Sequence, residues 1–389
     1  MYFCEMQTVK TGDLKLGILG GGQLGKMLIE AASNWNIQCF VLDPDAECSC
    51  AHLAYDFTCG SFKDYETVYA FGQKVDKITI EIEHVNVEAL QQLKEEGKII
   101  YPDPEVLKII QDKGKQKLFY EDNELPTAFF QVLEHKQEII DLVHEGKINL
   151  PFVQKSCKSG YDGKGVQVIR NESDLENLLD GESVIEDLID FEKELAVIVA
   201  RDHNGNVTVF PAVEMEFHPT ANLVEFLFAP ANIKEQHAHM AEIIATETIR
   251  AFNVVGILAV EMFLTRDGEI LINEVAPRPH NSGHHTIEAN FTSQYEQLLR
   301  CIFDLPLGST TTRSLAVMVN LLGEDNYTGN AIYSGLPECL SHEGVFVHLY
   351  GKKITKPFRK MGHVTIINNE MVVAKELARF VKDTLKIIA

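Results

Sequence analysis

The sequence predicts a mixed α/β and α+β chain: a parallel-sheet domain first, strand-rich lobes next, and a small β-rich part at the C-terminus. Three observations predict this. Strand, helix and strand alternate from Lys15 onward. A run of strands separated by turns begins at Phe152. Beyond Leu305-Pro306-Leu307-Gly308 the composition changes to short strands and turns.

The opening rhythm is explicit. Lys15 to Gly20 (KLGILG) reads as a strand ending in glycines. Gln23 to Ala32 carries Leu24, Met27, Leu28 and Ala31 on one helical stripe. Gln38 to Leu42 and Lys77 to Ile82 are further strands. Tyr101-Pro102-Asp103-Pro104 ends this unit, a helix starts at Glu105, and the boundary falls near Asp112. Strands are then expected at 152–156, 165–169, 183–187, 194–200 and 207–213, with Asn204-Gly205 as a hairpin turn. A helix over 235–252 leads into strands 256–264 and 269–275. The last segment, 370–388, is expected to be helical at its end.

Composition narrows the functional classes. The chain has 389 residues, 45% hydrophobic and 24% charged, with a formal net charge of −22. Such an acidic chain is a poor general partner for nucleic acid or an anionic membrane. No apolar run reaches the roughly 18 residues of a membrane span. Residues 1–14 lack a secretory pattern and read as a loose extension. Eight scattered cysteines suit reduced thiols in a cytoplasm. Cys48, Cys50 and Cys59, with His52, lack the paired spacing of a zinc site and read as plain thiols.

Gly20-Gly21-Gly22-Gln23-Leu24-Gly25 fits the G-x-G-x-x-G pattern between a strand and a helix, and Asp43 ends the second strand. That is nearly a dinucleotide fingerprint. Its physics is broader: glycines let backbone N–H groups approach any anion at a helix N-terminus. A nicotinamide dehydrogenase, another phosphate ligand and a purely structural turn all remain open on this segment.

The stretch Gly256 to Val275 (GILAVEMFLTRDGEILINEV) is more telling. Asp267-Gly268 signals a two-residue hairpin turn, which sets Arg266 opposite Glu269, Leu264 opposite Leu271 and Glu261 opposite Glu274. Opposed residues have Cβ atoms about 4.5–5.5 Å apart on one face. Two carboxylates so placed repel unless a cation lies between them. With phosphate oxygens they form the hard-oxygen site that Mg²⁺ uses on nucleotide triphosphates.

Other segments supply cations. Ser159 to Val166 (SGYDGKGV) suits a glycine-rich loop closing on phosphates through backbone N–H groups and Lys164. Lys155 ends the preceding strand, and Lys113 lies upstream. Glu186-Asp187-Leu188-Ile189 offers hydrogen bonds to a base. Ala276 to Thr286 (APRPHNSGHHT) holds Arg278, His280, Asn281, His284 and His285 at a strand end. Tyr350 to His363 (YGKKITKPFRKMGH) is dense in Lys and Arg and suits a phosphate monoester against the acidic background.

Taken in order, GGGQLGKM, EIEHV, GYDGKG, the VEMF to INEVAPRPHNSGH block and YGK to RKMGH resemble the N5-carboxyaminoimidazole ribonucleotide synthetases, a family of ATP-grasp ligases. The resemblance runs from about Lys15 to the end. It implies an N-terminal α/β domain over 15–112, a two-lobed ATP-grasp region over 113–308 and a C-terminal domain over 309–389. It also implies a cytoplasmic homodimer using ATP, bicarbonate and 5-aminoimidazole ribonucleotide in purine synthesis, with Mg²⁺, or Mn²⁺ in its place.

Position by position, the resemblance gives the nucleotide Lys113, Lys155, Gly160, Tyr161, Asp162, Gly163, Lys164, Gly165, Val166, Glu186, Asp187, Leu188, Ile189, Glu194, Asn273 and Glu274. It makes Glu261 and Glu274 the metal ligands. It gives the ribonucleotide Gln23, Leu24, Glu83, Asn281, Lys352, Arg359 and Lys360. Tyr161, Asp162, Arg278 and His280 surround the reacting groups, with Asp162 ahead of His280 as proton acceptor. Lys113 stands where Arg is frequent, Val166 where Gln is frequent, and His285 where Trp is usual. A formate-using glycinamide ribonucleotide enzyme is the nearest rival, ahead of a nicotinamide dehydrogenase.

Overall fold

The computed structural model describes residues 14–158, 165–218 and 223–389, and the chain divides into two compact units between Pro104 and Glu105.

The first unit is a five-stranded parallel sheet. Its strands are β1 (Lys15–Leu19), β2 (Gln38–Asp43), β3 (Asp56–Cys59), β4 (Lys77–Ile80) and β5 (Ile99–Tyr101), in the order β3-β2-β1-β4-β5. β1 is central, and Leu16, Ile18 and Leu19 are fully buried. That is why the parallel strands read as continuous apolar runs rather than alternating ones. Helices α1 (Gln23–Ser33), α2 (Tyr65–Gly72) and α3 (Val87–Glu95) complete the unit. β4 stops at Ile80, short of the expected Ile82, and Glu81 and Glu83 fall on the bend after it.

The second unit contains α4 (Pro104–Ile110), α5 (Lys113–Asp122), α6 (Lys136–His144) and two sheets. The smaller sheet joins β6 (Phe130–Leu133), β7 (Phe152–Ser156), β8 (Val166–Ile169) and β9 (Ser183–Asp187) in the antiparallel order β6-β9-β7-β8. It packs Ile139 of α6 against Phe152, Ile169 and Ile185.

The larger sheet contains β10 (Phe191–Arg201), β11 (Val207–Val209), β12 (Val213–Phe217), β13 (Val224–Ala229), β14 (Gly256–Thr265), β15 (Ile270–Ala276), β16 (Leu315–Leu322), β19 (Val345–Leu349) and β21 (Lys360–Asn368). Its order is β15-β14-β10-β12-β13-β16-β21-β19, with β11 on β10. The sheet therefore runs without a break into the C-terminal part. The short strands β17 (Gly329–Asn330), β18 (Ile332–Ser334), β20 (Ile354–Thr355) and β22 (Lys386–Ile388) pair outside it, β17 with β20 and β18 with β22. Helix α7 (Glu235–Ala251) buries Ile244 and Ile249 with Leu195, Val197, Leu258 and Val260. The remaining helices are α8 (Thr286–Ala289), α9 (Gln294–Ile302), α10 (Leu336–Leu340) and α11 (Met371–Thr384).

Three local expectations change. The strand expected over 207–213 splits into β11 and β12 around Pro211, which has no N–H to give a ladder. The last segment is helical first and ends as β22, because Ile387 and Ile388 pair with Tyr333 and Ile332. The hairpin turn is also longer than two residues. Thr265 N donates to Glu269 O and Gly268 N to Thr265 O, leaving Arg266, Asp267 and Gly268 as the loop, with Gly268 at φ +88°. Arg266 Nε of this loop donates to Asp190 Oδ1 at 3.0 Å. Leu264 now faces Ile270 and Met262 faces Ile272. A bulge between Glu261 and Met262 then takes up Asn273 as an extra residue, and Glu261 again faces Glu274.

Gly268→Ala should destabilise the protein by ~1 kcal/mol, since its positive φ strains any Cβ. The check is a lower urea midpoint at unchanged slope. An unchanged midpoint would contradict the strain assigned to Gly268.

Candidate active site

The bulge in β15 organises the site. It turns Asn273 and Glu274 together toward a group of lysines. Lys113 Nζ donates to Glu274 Oε2 at 2.5 Å, and Lys155 Nζ to Asn273 Oδ1 at 2.8 Å. Opposite Glu274, Glu261 Oε1 lies 3.3 Å from His280 Nε2. The two carboxylates have different environments. Burial, then the charges of Glu274 and Glu194, push the Glu261 carboxyl up. The Lys113 charge holds Glu274 well below the usual carboxylate range. Burial works against the Lys113 ammonium, but Glu274 outweighs it and keeps Lys113 raised. Glu274 keeps 43% of its side chain exposed against 16% for Glu261. Glu274 is thus the more solvent-open member of the pair.

A second ionic group lies across the smaller sheet. Glu186 on β9 is shared by two lysines, Lys117 Nζ at 2.9 Å from Oε1 and Lys155 Nζ at 2.9 Å from Oε2. Burial alone would raise this carboxyl, but Lys155 and Lys117 hold it low. Glu194 on β10 pairs with Phe263 of β14. Burial pushes its carboxyl up to about 7 against the pull of Lys155. Asp187 ends β9, where its N–H bonds Phe129 O. Leu188 and Ile189 follow it, and Gly165 and Val166 lead into β8, with Ser156 N donating to Gly165 O.

The loop after β15 is fixed by a buried amide. Gln294 Oε1 accepts from His280 N at 2.9 Å, and its Nε2 donates to His280 O at 2.8 Å. Ser282 N donates to His280 Nδ1 at 3.3 Å, so the Nε2 facing Glu261 carries the hydrogen in a neutral ring. His280 is a donor to Glu261 in this geometry. Arg278 Nη1 donates to Pro279 O at 3.0 Å. Asn281 and Asn320 exchange amide hydrogen bonds of 2.8 and 2.9 Å, tying this loop to β16. His285, in the place usual for Trp, is buried, and burial lowers its pKa to about 4.

In the C-terminal part, Lys352 Nζ donates to Lys360 O at 2.9 Å and Arg359 Nη1 to Ile354 O at 2.5 Å. The Lys360 charge reaches Glu261 and pulls against its raised pKa.

The glycine loop of the first unit is held by acids. Gly21 N donates to Asp43 Oδ2 at 2.7 Å and Leu24 N to Glu81 Oε1 at 3.3 Å, with Gln23 between them at the start of α1. A Cβ at Gly22 would fall 2.3 Å from Glu81 Oε1. The Glu81 carboxylate therefore lies across the glycines, and Asp43 also accepts from Asp45 N at 2.8 Å. A dinucleotide pyrophosphate would meet two carboxylates here, and its ribose would find Asp43 already bonded. Glu83 O accepts from Val85 N on the same bend. Burial pushes the Cys48 thiol up to about 11 and Cys50 higher still.

Of the expected site residues, Lys113, Lys155, Glu186, Asn273 and Glu274 come together, as do Glu261 and His280. Gly160, Tyr161, Asp162, Gly163 and Lys164 lie outside the described residues. Sequence reasoning missed Lys117, Glu81 and Gln294. Lys117 sits four residues after Lys113 on α5, a helical spacing that signals a shared face. Glu81 lies two residues before Glu83, inside the quoted EIEHV, and Gln294 gave no signal.

Residues 14–111 match the ribonucleotide synthetase preATP-grasp domain, 118–295 the ATP-grasp domain, and 316–377 the phosphoribosylaminoimidazole carboxylase C-terminal domain. The chain is 36% identical over 356 residues to the N5-carboxyaminoimidazole ribonucleotide synthase of Bacillus subtilis, covering 90% of this chain and 91% of that protein. Against the phosphoribosylaminoimidazole carboxylases of Vigna aconitifolia (chloroplastic, 36% identical) and Candida glabrata (38%), it spans 65% of the relative's length. A crystal structure of N5-carboxyaminoimidazole ribonucleotide synthetase from Thermotoga maritima superposes with a TM-score of 0.88 at 42% identity, covering 97% of this chain and 99% of that one. The Aspergillus clavatus N5-carboxyaminoimidazole synthase, solved with ADP and 5-aminoimidazole ribonucleotide, gives 0.86 at 32% identity, with 96% and 99% covered. These matches lead to one assignment: the chain belongs to the N5-carboxyaminoimidazole ribonucleotide synthetase family of ATP-grasp ligases.

Proposed function

We propose that this protein carboxylates 5-aminoimidazole ribonucleotide with ATP and bicarbonate, giving N5-carboxyaminoimidazole ribonucleotide, ADP and phosphate in purine synthesis. The observation that carries this reading is the Glu261–Glu274 pair facing Lys113 and Lys155. A cytoplasmic homodimer is part of the same proposal.

The donor set fits Mg²⁺. Two carboxylates in register supply two hard oxygens, and a triphosphate supplies others. Lys113 on Glu274 and His280 at Glu261 occupy the positions where positive charge is needed. Glu261 and Glu274 would hold the ion, which when bound polarises phosphoryl oxygens.

A bicarbonate oxygen attacks the γ-phosphorus, and the bond to the β-bridging oxygen breaks with ADP leaving. The carboxyphosphate then splits into CO₂ and phosphate. The 5-amino nitrogen attacks CO₂, the C–N bond forms, and the ammonium proton leaves. Lys155, held by Asn273 and Glu186, meets negative charge on the transferring group. Lys113 does the same beside Glu274. Gly165, Val166, Asp187, Leu188, Ile189 and Glu194 are assigned to the nucleotide, as are Gly160, Gly163 and Lys164. Asp162 is assigned the amine proton, with Tyr161 and Arg278 beside the reacting groups. His280, donating toward Glu261, is assigned to orientation rather than to proton removal. For the ribonucleotide, the assigned residues are Gln23, Leu24, Glu83, Asn281, Lys352, Arg359 and Lys360.

The direct test is phosphate release from ATP and bicarbonate with and without 5-aminoimidazole ribonucleotide. Release that depends on formate instead would reject the reading. Glu274→Gln should cut ATP turnover about a hundredfold or more while ribonucleotide binding persists. Activity near wild type would remove the metal role. Arg359→Ala should raise the KM for the ribonucleotide about tenfold and the KM for ATP less than about twofold. Equal changes would count against its assignment.

A further inference from the structure

Lys117 has no part in the mechanism above, yet it is the most enclosed cation of the ionic group. Its side chain is 4% exposed, and that of its partner Glu186 is 5% exposed. The ammonium joins three elements. It lies on α5, reaches Glu186 Oε1 on β9 at 2.9 Å, and donates to Thr127 Oγ1 at 2.5 Å. Thr127 Oγ1 in turn donates to Ile272 O at 2.8 Å, and Ile272 N donates to Pro126 O at 2.7 Å. Ile272 directly precedes the bulged Asn273. Lys117 therefore links the smaller sheet to the strand that carries Asn273 and Glu274, while solvent and any ligand are kept from its nitrogen.

We propose that Lys117 is a positioning residue for the nucleotide, acting through Glu186 on Lys155. The proposal rests on Lys155 meeting the nucleotide. Glu186 divides its two oxygens between two ammonium groups. With Lys117 charged, half of that carboxylate is already engaged. Lys155 is then held by one oxygen and by Asn273 Oδ1, and its third N–H donor is aimed by two fixed acceptors rather than captured by a bidentate carboxylate. Without the Lys117 charge, the whole of Glu186 falls to Lys155. A nucleotide phosphate would then compete with a buried anion for the same lysine.

The charged groups around Lys117 set the direction of its pH dependence. They are Lys113 on α5, Glu186 on β9 and Lys155 on β7, with Tyr120 on α5 presenting its ring 5.9 Å away. Burial, helped by the charges of Lys155 and Lys113, lowers the Lys117 pKa to about 8 against the pull of Glu186. As pH rises through about 8, Lys117 loses its proton and Lys155 is drawn to Glu186, so ATP binding weakens.

The experiment is the KM for ATP, with Mg²⁺ saturating, measured between pH 7 and 9 in wild type, Lys117→Met, Lys117→Arg and Lys155→Met. In wild type the KM for ATP should rise about tenfold across the range. Lys117→Met should start about tenfold higher and stay flat, with the KM for the ribonucleotide changed less than about twofold. Lys117→Arg, always charged, should restore most of the affinity and also remain flat. A Lys117→Met enzyme that keeps the alkaline rise, or that raises both KM values alike, overturns the proposal. So does a flat wild-type profile, which needs no variant to fold. Lys155→Met separates the two levels. If it leaves the KM for ATP unchanged, the nucleotide assignment of Lys155 fails. If it raises that KM while Lys117→Met does not, only the role of Lys117 fails.

Discussion

The site depends on two carboxylates that a β-hairpin forces to face each other. Glu261 and Glu274 are opposed in register, and their mutual repulsion needs a positive partner. The chain resolves this asymmetrically. Lys113 is committed to Glu274, which stays ionised, whereas Glu261 faces His280 and has its ionised form penalised by burial. One member is thus a fixed anion. The other takes its full charge most readily when more positive charge arrives. In the proposed reaction, a cation brought in on a nucleotide would supply that charge, which favours joint binding over binding of either alone.

The same logic extends outward through shared acceptors. Glu186 serves two lysines, Asn273 joins one of them to the bulge, and Thr127 joins the other to the residue before it. Each buried charge meets an opposite charge or a hydrogen-bonding partner, as low-dielectric surroundings require. Because the links cross from the smaller sheet to the larger one, the lysines are set relative to the carboxylate pair before a ligand binds. This is electrostatic preorganisation built from ordinary side chains, and it explains why so many of them are long, charged and enclosed.

Much of this was legible in the sequence, for identifiable reasons. The parallel sheet announced itself because β1, β2 and β4 are buried on both faces and therefore read as unbroken apolar runs. The facing of Glu261 and Glu274 was also legible, but by a route the structure corrects. The loop has three residues, not two, which moves the register by one. The bulge at Asn273 moves it back. A hairpin rule sees turn residues and not bulges, so two omissions cancelled. What stayed hidden was set by tertiary contact. Gln294, at the start of α9, clamps His280 across a sequence gap that no local pattern spans.

The bulge has a consequence beyond register. In a regular strand, neighbouring side chains alternate faces, so Asn273 and Glu274 would point to opposite sides of the sheet. Asn273 would then be lost to Lys155, or Glu274 to Lys113. Inserting one unpaired residue lets both face the lysines while Val275 and Ala276 return to the core. The local loss of ladder pairing is therefore what places an amide and a carboxylate side by side on one strand. Among the described residues, this irregularity joins the Glu186 group to the Glu261–Glu274 pair, and without it the two ionic groups would be strangers on opposite faces.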